Sequence, residues 1–214
     1  MFENLSGESL KEEFKNNKTA RTVTFAIAGV LVLVLGYLVY INLIWGPGNE
    51  DSKEAGYIGL NYADMDSTEL AIEELSATVK KFDGKQGGET AQFVLARQYM
   101  NQGEFDMAMK TLKDVDVKDT YVKVHVVGLQ GDCLSELKNY EEAVKTYIKA
   151  AELDDNDYTT PMYLFKAGKL LEKQLENPTK AAEVYTRIKH NYAVFANANQ
   201  IDRFIQRASL KTKK

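Results

Sequence analysis

Residues 131–154 read GDCLSELKNYEEAVKTYIKAAELD. They hold the chain's single cysteine, Cys133, eight residues after His125, one of its two histidines. The stretch poses a choice between a thiol–imidazole pair and a helical hairpin that happens to pack a cysteine. On a helix the two residues lie about 12 Å apart along the axis, beyond the hydrogen-bond reach that proton transfer requires. Read for period, the same residues make sense. Gly131, Leu134, Tyr140, Ala143, Tyr147 and Ala150 follow Ala96, Tyr99, Phe105, Ala108, Leu112 and Val115 at a constant 35 residues. A third copy, with one extra residue between its helices, supplies Ala167, Gly168, Leu171, Pro178, Ala181, Tyr185 and Ile188.

A period of this length with small and large residues at fixed places resembles the tetratricopeptide repeat, a helical hairpin of about 34 residues. Small residues (Ala96, Gly131, Gly168 and Ala108, Ala143, Ala181) let the two helices of a hairpin approach closely. Large ones (Tyr99, Tyr140, Tyr147, Tyr185) are expected to fill the space between neighbouring hairpins. A degenerate first copy is expected to precede them, with helices near 52–64 and 67–82 and N-cap oxygens in Asp66-Ser67-Thr68. After the last copy, AVFANANQIDRFIQRASL (193–210) places apolar residues at Val194, Ala198, Ile201, Phe204, Ile205 and Ala208. That pattern predicts one amphipathic capping helix, which a repeat array needs at its end.

Upstream, TVTFAIAGVLVLVLGYLVYINLIW (22–45) carries no charge. As a helix it is about 36 Å long, enough to span a hydrocarbon core of roughly 30 Å. Tyr37, Tyr40 and Trp45 gather at its C-terminal end, where amphipathic rings favour the headgroup level. The run is longer than a secretory h-region, and no small-x-small cleavage site follows, so an uncleaved anchor is expected. Gly46-Pro47-Gly48 is expected to stop the helix. Lys15, Lys18 and Arg21 precede the span, whereas Lys53 is the only basic residue soon after it, which predicts a cytoplasmic N-terminus. Gly29 and Gly36 share one face and are candidates for packing against another membrane helix. The expected fold class is therefore all-α: one N-terminal transmembrane helix, then an α-solenoid of about four hairpins with a C-terminal cap.

Chemistry finds little purchase. A net charge of −4 and a pI near 5.4 argue against a protein that tracks nucleic-acid phosphates. One cysteine and two distant histidines leave little for a zinc site. FDGKQGGETA (82–91) lacks the order of a phosphate-binding loop and follows a helix rather than a strand. It reads as an inter-repeat turn, with Glu89 and Thr90 starting the next helix. ELDDNDYTT (152–160) resembles the start of a calcium loop, but counting from Asp154 puts Thr159 where glycine is needed and Phe165 where glutamate belongs, so it reads as an acidic turn. No catalytic motif is present, and the chain is expected to be neither an enzyme nor a cofactor carrier.

Binding remains. The first helix of each pair lines the concave side of such an array. By register that face carries Phe93, Arg97 and Met100, then His125, Asp132 and Ser135, then Met162, Phe165, Lys169 and Glu172. Apolar and mixed-charge side chains suit an extended peptide or a partner helix. Gly128 and Asp132 stand where a carboxylate clamp would place polar donors, which disfavours capture of a chaperone tail.

The order of parts (a tail ending FKNNKTAR, one spanning helix, GP, then the repeats) resembles the YfgM-like family of bacterial inner-membrane proteins, especially its Bacteroidetes versions. GETAQFVLARQYMNQGEFDMAMKTL, GLQGDCLSELKNYEEAVKTY, TTPMYLFKAGKLLE and IDRFIQRA carry the resemblance. It implies an ancillary subunit of the Sec translocon, with SecYEG and a PpiD-like membrane-anchored chaperone as partners, and no cofactor. The expected layout is a cytoplasmic tail (1–21), a signal anchor (22–45), a linker (46–51) and a periplasmic repeat domain (52–214). A scaffold for another envelope assembly, such as a secretion or motility machine, is the alternative.

Overall fold

The computed structural model describes residues 15–212, and the regular structure among them is all helical. The chain divides into two compact units, residues 1–51 and 52–214. Most of the expected cytoplasmic tail lies outside the described residues.

The first unit contains α1 (Lys18–Tyr40) and a five-residue π-helical segment, Ile41–Trp45. The large apolar side chains of α1, among them Phe25, Leu33 and Leu35, are exposed. A helix apolar on all sides has no face suited to water and calls for a lipid or protein surround. The helical backbone does not stop at Gly46-Pro47-Gly48, where α2 (Gly46–Asp64) begins instead. The π turn explains why. The Gly46 N–H donates to the Ile41 carbonyl, five residues back. The shifted register leaves room for a residue that brings no donor, which is what Pro47 requires. A Cβ on Gly46 would lie 3.0 Å from the Ile41 oxygen, so the small residue is part of the same device. Residues 46–51, expected to be a linker, are helix.

In the second unit the C-terminal part of α2 is followed by α3 (Thr68–Lys81), α4 (Gln86–Asn101), α5 (Phe105–Lys113), α6 (Thr120–Glu136) and α7 (Tyr140–Leu153). Then come α8 (Thr159–Lys173), α9 (Pro178–Asn191), the short α10 (Ala193–Ala198) and α11 (Ile201–Thr212). From α3 to α9 each helix packs on the next, and α11 packs on α9. Four hairpins result, with α11 covering the last.

One small–large pair recurs in every hairpin. A Cβ on Gly131 would come 2.6 Å from the Tyr147 ring, and one on Gly168 would come 2.5 Å from the Tyr185 ring. Ala96 and Leu112 hold the same places in the preceding hairpin, both fully buried. In the first hairpin the pair is Gly59 and Leu75, with 2.8 Å from the missing Cβ to the leucine. The tyrosines thus pack inside their own hairpins as well as between neighbours: Tyr147 also stacks on Tyr163 of the next one. A backbone device repeats too. Asp66, Gly103, Lys138 and Glu176 all take positive φ, from 48° to 79°, in the turn between the two helices. In three of these turns the same two hydrogen bonds close the helix end, as in Lys138 N to Ser135 O and Asn139 N to Leu134 O. That is the Schellman arrangement.

Three local expectations differ from what is found. Ser67 stands at the N-cap of α3 without a side-chain capping bond; its hydroxyl is not needed where the turn is closed by backbone. α4 starts at Gln86, three residues early. Gly87 and Gly88 permit this, since Cβ atoms there would collide with Ser52 at 2.2 Å and Phe82 at 2.0 Å, and the Gly87 N–H donates to Ser52 Oγ. The cap is two helices rather than one. Gln200 at φ 52° breaks it, and Asn199 spends its amide on the Phe195 carbonyl.

Candidate partner-binding face

α4, α6 and α8 are the first helices of their hairpins, and the residues expected on the inner face sit on them. On α4, Arg97 is exposed, while Phe93 and Met100 are half-buried against the cluster of Ala96, Ala108, Leu112 and Cys133. On α6, His125 is half-buried, with Nδ1 3.1 Å from the Tyr163 hydroxyl and its ring edge-on to Tyr121. Burial lowers its pKa, and the positive charges of Lys166 and Arg97 lower it further. Ser135 is half-buried. Asp132 is already occupied: Lys166 Nζ donates to its two oxygens at 2.6 and 2.8 Å, and the Tyr147 hydroxyl donates to it at 2.6 Å.

On α8, Met162 packs against the core and Lys169 lies 5.0 Å over the centre of the Phe165 ring. Phe165 is itself edge-on to Phe204 at 4.8 Å and to Phe195 at 6.1 Å. Glu172 is not a surface group. It is 2% exposed, and α11 covers it: Arg207 grips both carboxylate oxygens, at 2.5 and 2.7 Å, while the Tyr185 hydroxyl donates to it. Hydrogen bonding by Arg207 holds its pKa down against burial. A carboxylate so buried and already paired is closed to a partner, and Glu172 leaves the candidate set.

Sequence reading missed the groups that complete these pairs, Lys166, Arg207, Tyr163 and Phe204. A signal existed. Asp132–Lys166 and Glu172–Arg207 are 34 and 35 residues apart, one repeat length, so opposite charges at that offset mark the link from α6 to α8 and the link from α8 to the capping α11. Gly128 has its own reason to be small. A Cβ there would lie 2.1 Å from the Tyr163 ring, so no donor could stand at that place.

Cys133 is fully buried in the α4–α6 cluster. Burial, aided by the negative charge of Asp132, pushes its thiol up to about 11, which makes it a neutral packing group. In the acidic turn before α8, Asn156 does the organising: its Oδ1 accepts the Tyr158 and Thr159 N–H groups and its Nδ2 donates to Asp154 and Thr159. On α1, Cβ atoms at Gly29 and Gly36 would meet nothing within 4 Å.

Sequence comparison gives the geometry a family. A tetratricopeptide repeat-like domain profile matches residues 59–176, more than half of the chain, and a tetratricopeptide repeat profile matches 163–193. The chain belongs to the tetratricopeptide repeat-like family. That family is associated with YfgM-like proteins. No curated protein sequence is significantly similar to the chain. Among solved structures, the nearly identical TPR-like repeats of a Podosopora anserina protein assigned as a kinesin light chain superpose with a TM-score of 0.57 at 14% identity, covering 77% of this chain and 92% of that one. MamA superposes with a TM-score of 0.55 at 18% identity, covering 78% and 90%. At such identities the likeness is one of fold.

Proposed function

We propose that this protein is a membrane-anchored binding module, an ancillary subunit of a SecYEG-type translocon that works beside a PpiD-like chaperone. The observation that carries the reading is the pairing, in one chain, of a long apolar helix near the N-terminus, one among the described residues, with a repeat array of the family to which YfgM-like proteins belong. In this reading α1 crosses the inner membrane with residues 1–21 in the cytoplasm, and residues 52–214 lie in the periplasm. Gly29 and Gly36 offer α1 a face for close packing on a neighbouring helix. The inner face of α4, α6 and α8 takes the protein partner, with Phe93, Met100, Met162 and Phe165 supplying apolar contact and Arg97 and Lys169 setting orientation. The anchor raises the effective concentration of this face beside a membrane partner, so modest affinity suffices. The scaffold of such arrays acts by binding rather than by chemistry.

Detergent extraction of tagged full-length protein from its native membranes, followed by mass spectrometry, tests this. Strong enrichment of SecY, reduced by reversing Arg97 and Lys169 together, is the expected result. Enrichment of components of another envelope assembly, without SecY, would replace the translocon with that assembly.

A further inference from the structure

A repeat array needs polar outer faces at its two ends, because a terminal helix otherwise shows water the side that a further repeat would bury. The ends of this array depart from that rule in complementary ways. α2 opens the array, and the side it packs inward holds Ser52, Gly56 and Gly59. Its outer side, at the i, i+3, i+4, i+7 spacing of one helix face, carries Glu54, Tyr57, Ile58 and Asn61. Tyr57 is 64% exposed, Ile58 52%, and Met65, just past the helix, 72%. Around these apolar side chains the first hairpin is acidic: residues 52–79 hold six carboxylates and one lysine. Among the described residues Glu54 and Asp64 form no ion pair.

α11 closes the array. Ile201 and Ala208 are its buried side, and Arg203, Gln206 and Leu210 share its outer side, with Leu210 67% exposed. This end is basic: residues 178–212 hold six lysines and arginines against two acids. One of those acids, Asp202, is paired with Lys189 at 2.6 Å. Arg207 and Lys211 share the single carboxylate of Glu172, which leaves one positive charge over. Arg203 donates to the uncharged Gln200 side chain.

We propose that the protein associates head to tail with a second copy of itself, the outer side of α2 in one molecule seated on the outer side of α11 in the next. Tyr57 and Ile58 then cover Leu210, and Glu54 and Asp64 face Arg203 and Arg207. Like ends repel and unlike ends attract, so charge sets both the partner and the polarity. A basic end alone would suit anionic lipid, and an acidic end alone a cationic peptide. Both ends in one chain, each beside exposed apolar side chains, fit another copy. Because the two surfaces differ, the contact is heterologous, and it extends into an open series or a ring instead of stopping at a pair. It depends on the repeat array alone and stands whether or not a translocon is the partner.

Sedimentation velocity of the full chain in neutral detergent at about 50 mM salt tests this. The assembled mass is expected to grow with protein concentration. Charge reversal at either end, by Glu54→Lys with Asp64→Lys or by Arg203→Glu, is expected to weaken association about tenfold or more, as is about 300 mM salt. Lys149→Glu, on an exposed position of α7, is expected to change nothing, and far-UV circular dichroism verifies that each variant is folded. Mixing the two charge-reversed proteins is expected to restore assembly, since each brings the end that the other lacks. Polarity is read from differently tagged Ile58→Cys and Leu210→Cys proteins, which a short bis-maleimide should join to each other and not like to like, the native Cys133 being buried. Links between like positions alone overturn the proposal in favour of a symmetric pair. Association that no end variant alters overturns it in favour of contact elsewhere, and chains monomeric at every concentration overturn it and leave each end to a different molecule.

Discussion

Replacing Gly131 with alanine puts the packing logic of the repeats to a quantitative test. The new Cβ would lie 2.6 and 2.7 Å from two ring carbons of Tyr147, about 1 Å inside the usual contact distance of 3.5–4.0 Å. The ring has nowhere to go: it is 4% exposed, stacked on Tyr163, and tied through its hydroxyl to Asp132. Overpacking of this kind costs about 1–3 kcal/mol, offset by about 0.5–1 kcal/mol because alanine suits a helix better than glycine. Gly131→Ala should therefore lose about 1–2 kcal/mol. Tyr147→Leu alone should lose about 2–4 kcal/mol, from the cavity and the missing hydroxyl. Together the two changes recreate the Ala96–Leu112 pair of the preceding hairpin. The double variant should then be more stable than the sum of the single losses by at least about 1 kcal/mol. Urea unfolding of the full chain in detergent, followed at 222 nm, measures all four corners of the cycle. Trp45 lies in the first unit, so its fluorescence would not report on this event. A Gly131→Ala protein as stable as the parent, or losses that simply add, would refute the proposed contact.

Three further outcomes follow from particular residues. Lys138 holds φ 62° where the preceding repeat has Gly103 at 79°, so Lys138→Gly should stabilise by about 0.5–1 kcal/mol, measurable as a higher urea midpoint. Because the pKa of Glu172 is lowered in the folded protein, its contribution is present above the unfolded carboxylate range and lost as pH falls through the folded value. Acid titration of unfolding free energy should show that loss below about pH 4.5, and Glu172→Gln should remove it while costing about 1–3 kcal/mol at neutral pH. Cys133, with its thiol near 11 and no exposure, should resist iodoacetamide at pH 7.5 in the folded protein and react at an ordinary thiol rate in urea.

Period carried most of the fold into the sequence. Ala96, Gly131 and Gly168 with Leu112, Tyr147 and Tyr185 are legible because size at a fixed spacing is a local property that survives without coordinates. The first hairpin's pair, Gly59 and Leu75, was hidden because it stands 37 residues before Ala96 and Leu112, out of step with the 35-residue spacing that follows. Gly46-Pro47-Gly48 misled because helix-breaking tendencies are averages, and a π turn offers a route around Pro47 that no propensity records. Gly87 and Gly88 misled for the converse reason: they serve close approach to Ser52 and Phe82 inside α4 rather than a turn before it. On the inner face, register placed Arg97 and Phe93 on the expected helix, but it could not show that α11 folds over Glu172. That fact depends on a turn at Gln200 and on Arg207 reaching back one repeat, and neither is visible within a single helix.

The central claim is that the inner face of α4, α6 and α8 meets the partner. A photo-crosslinking amino acid placed at Arg97 or Met100, and separately at Lys149 on α7, tests it in living cells. The account predicts adducts to translocon or chaperone subunits from Arg97 and Met100, and none from Lys149. Adducts from Lys149 alone would contradict it.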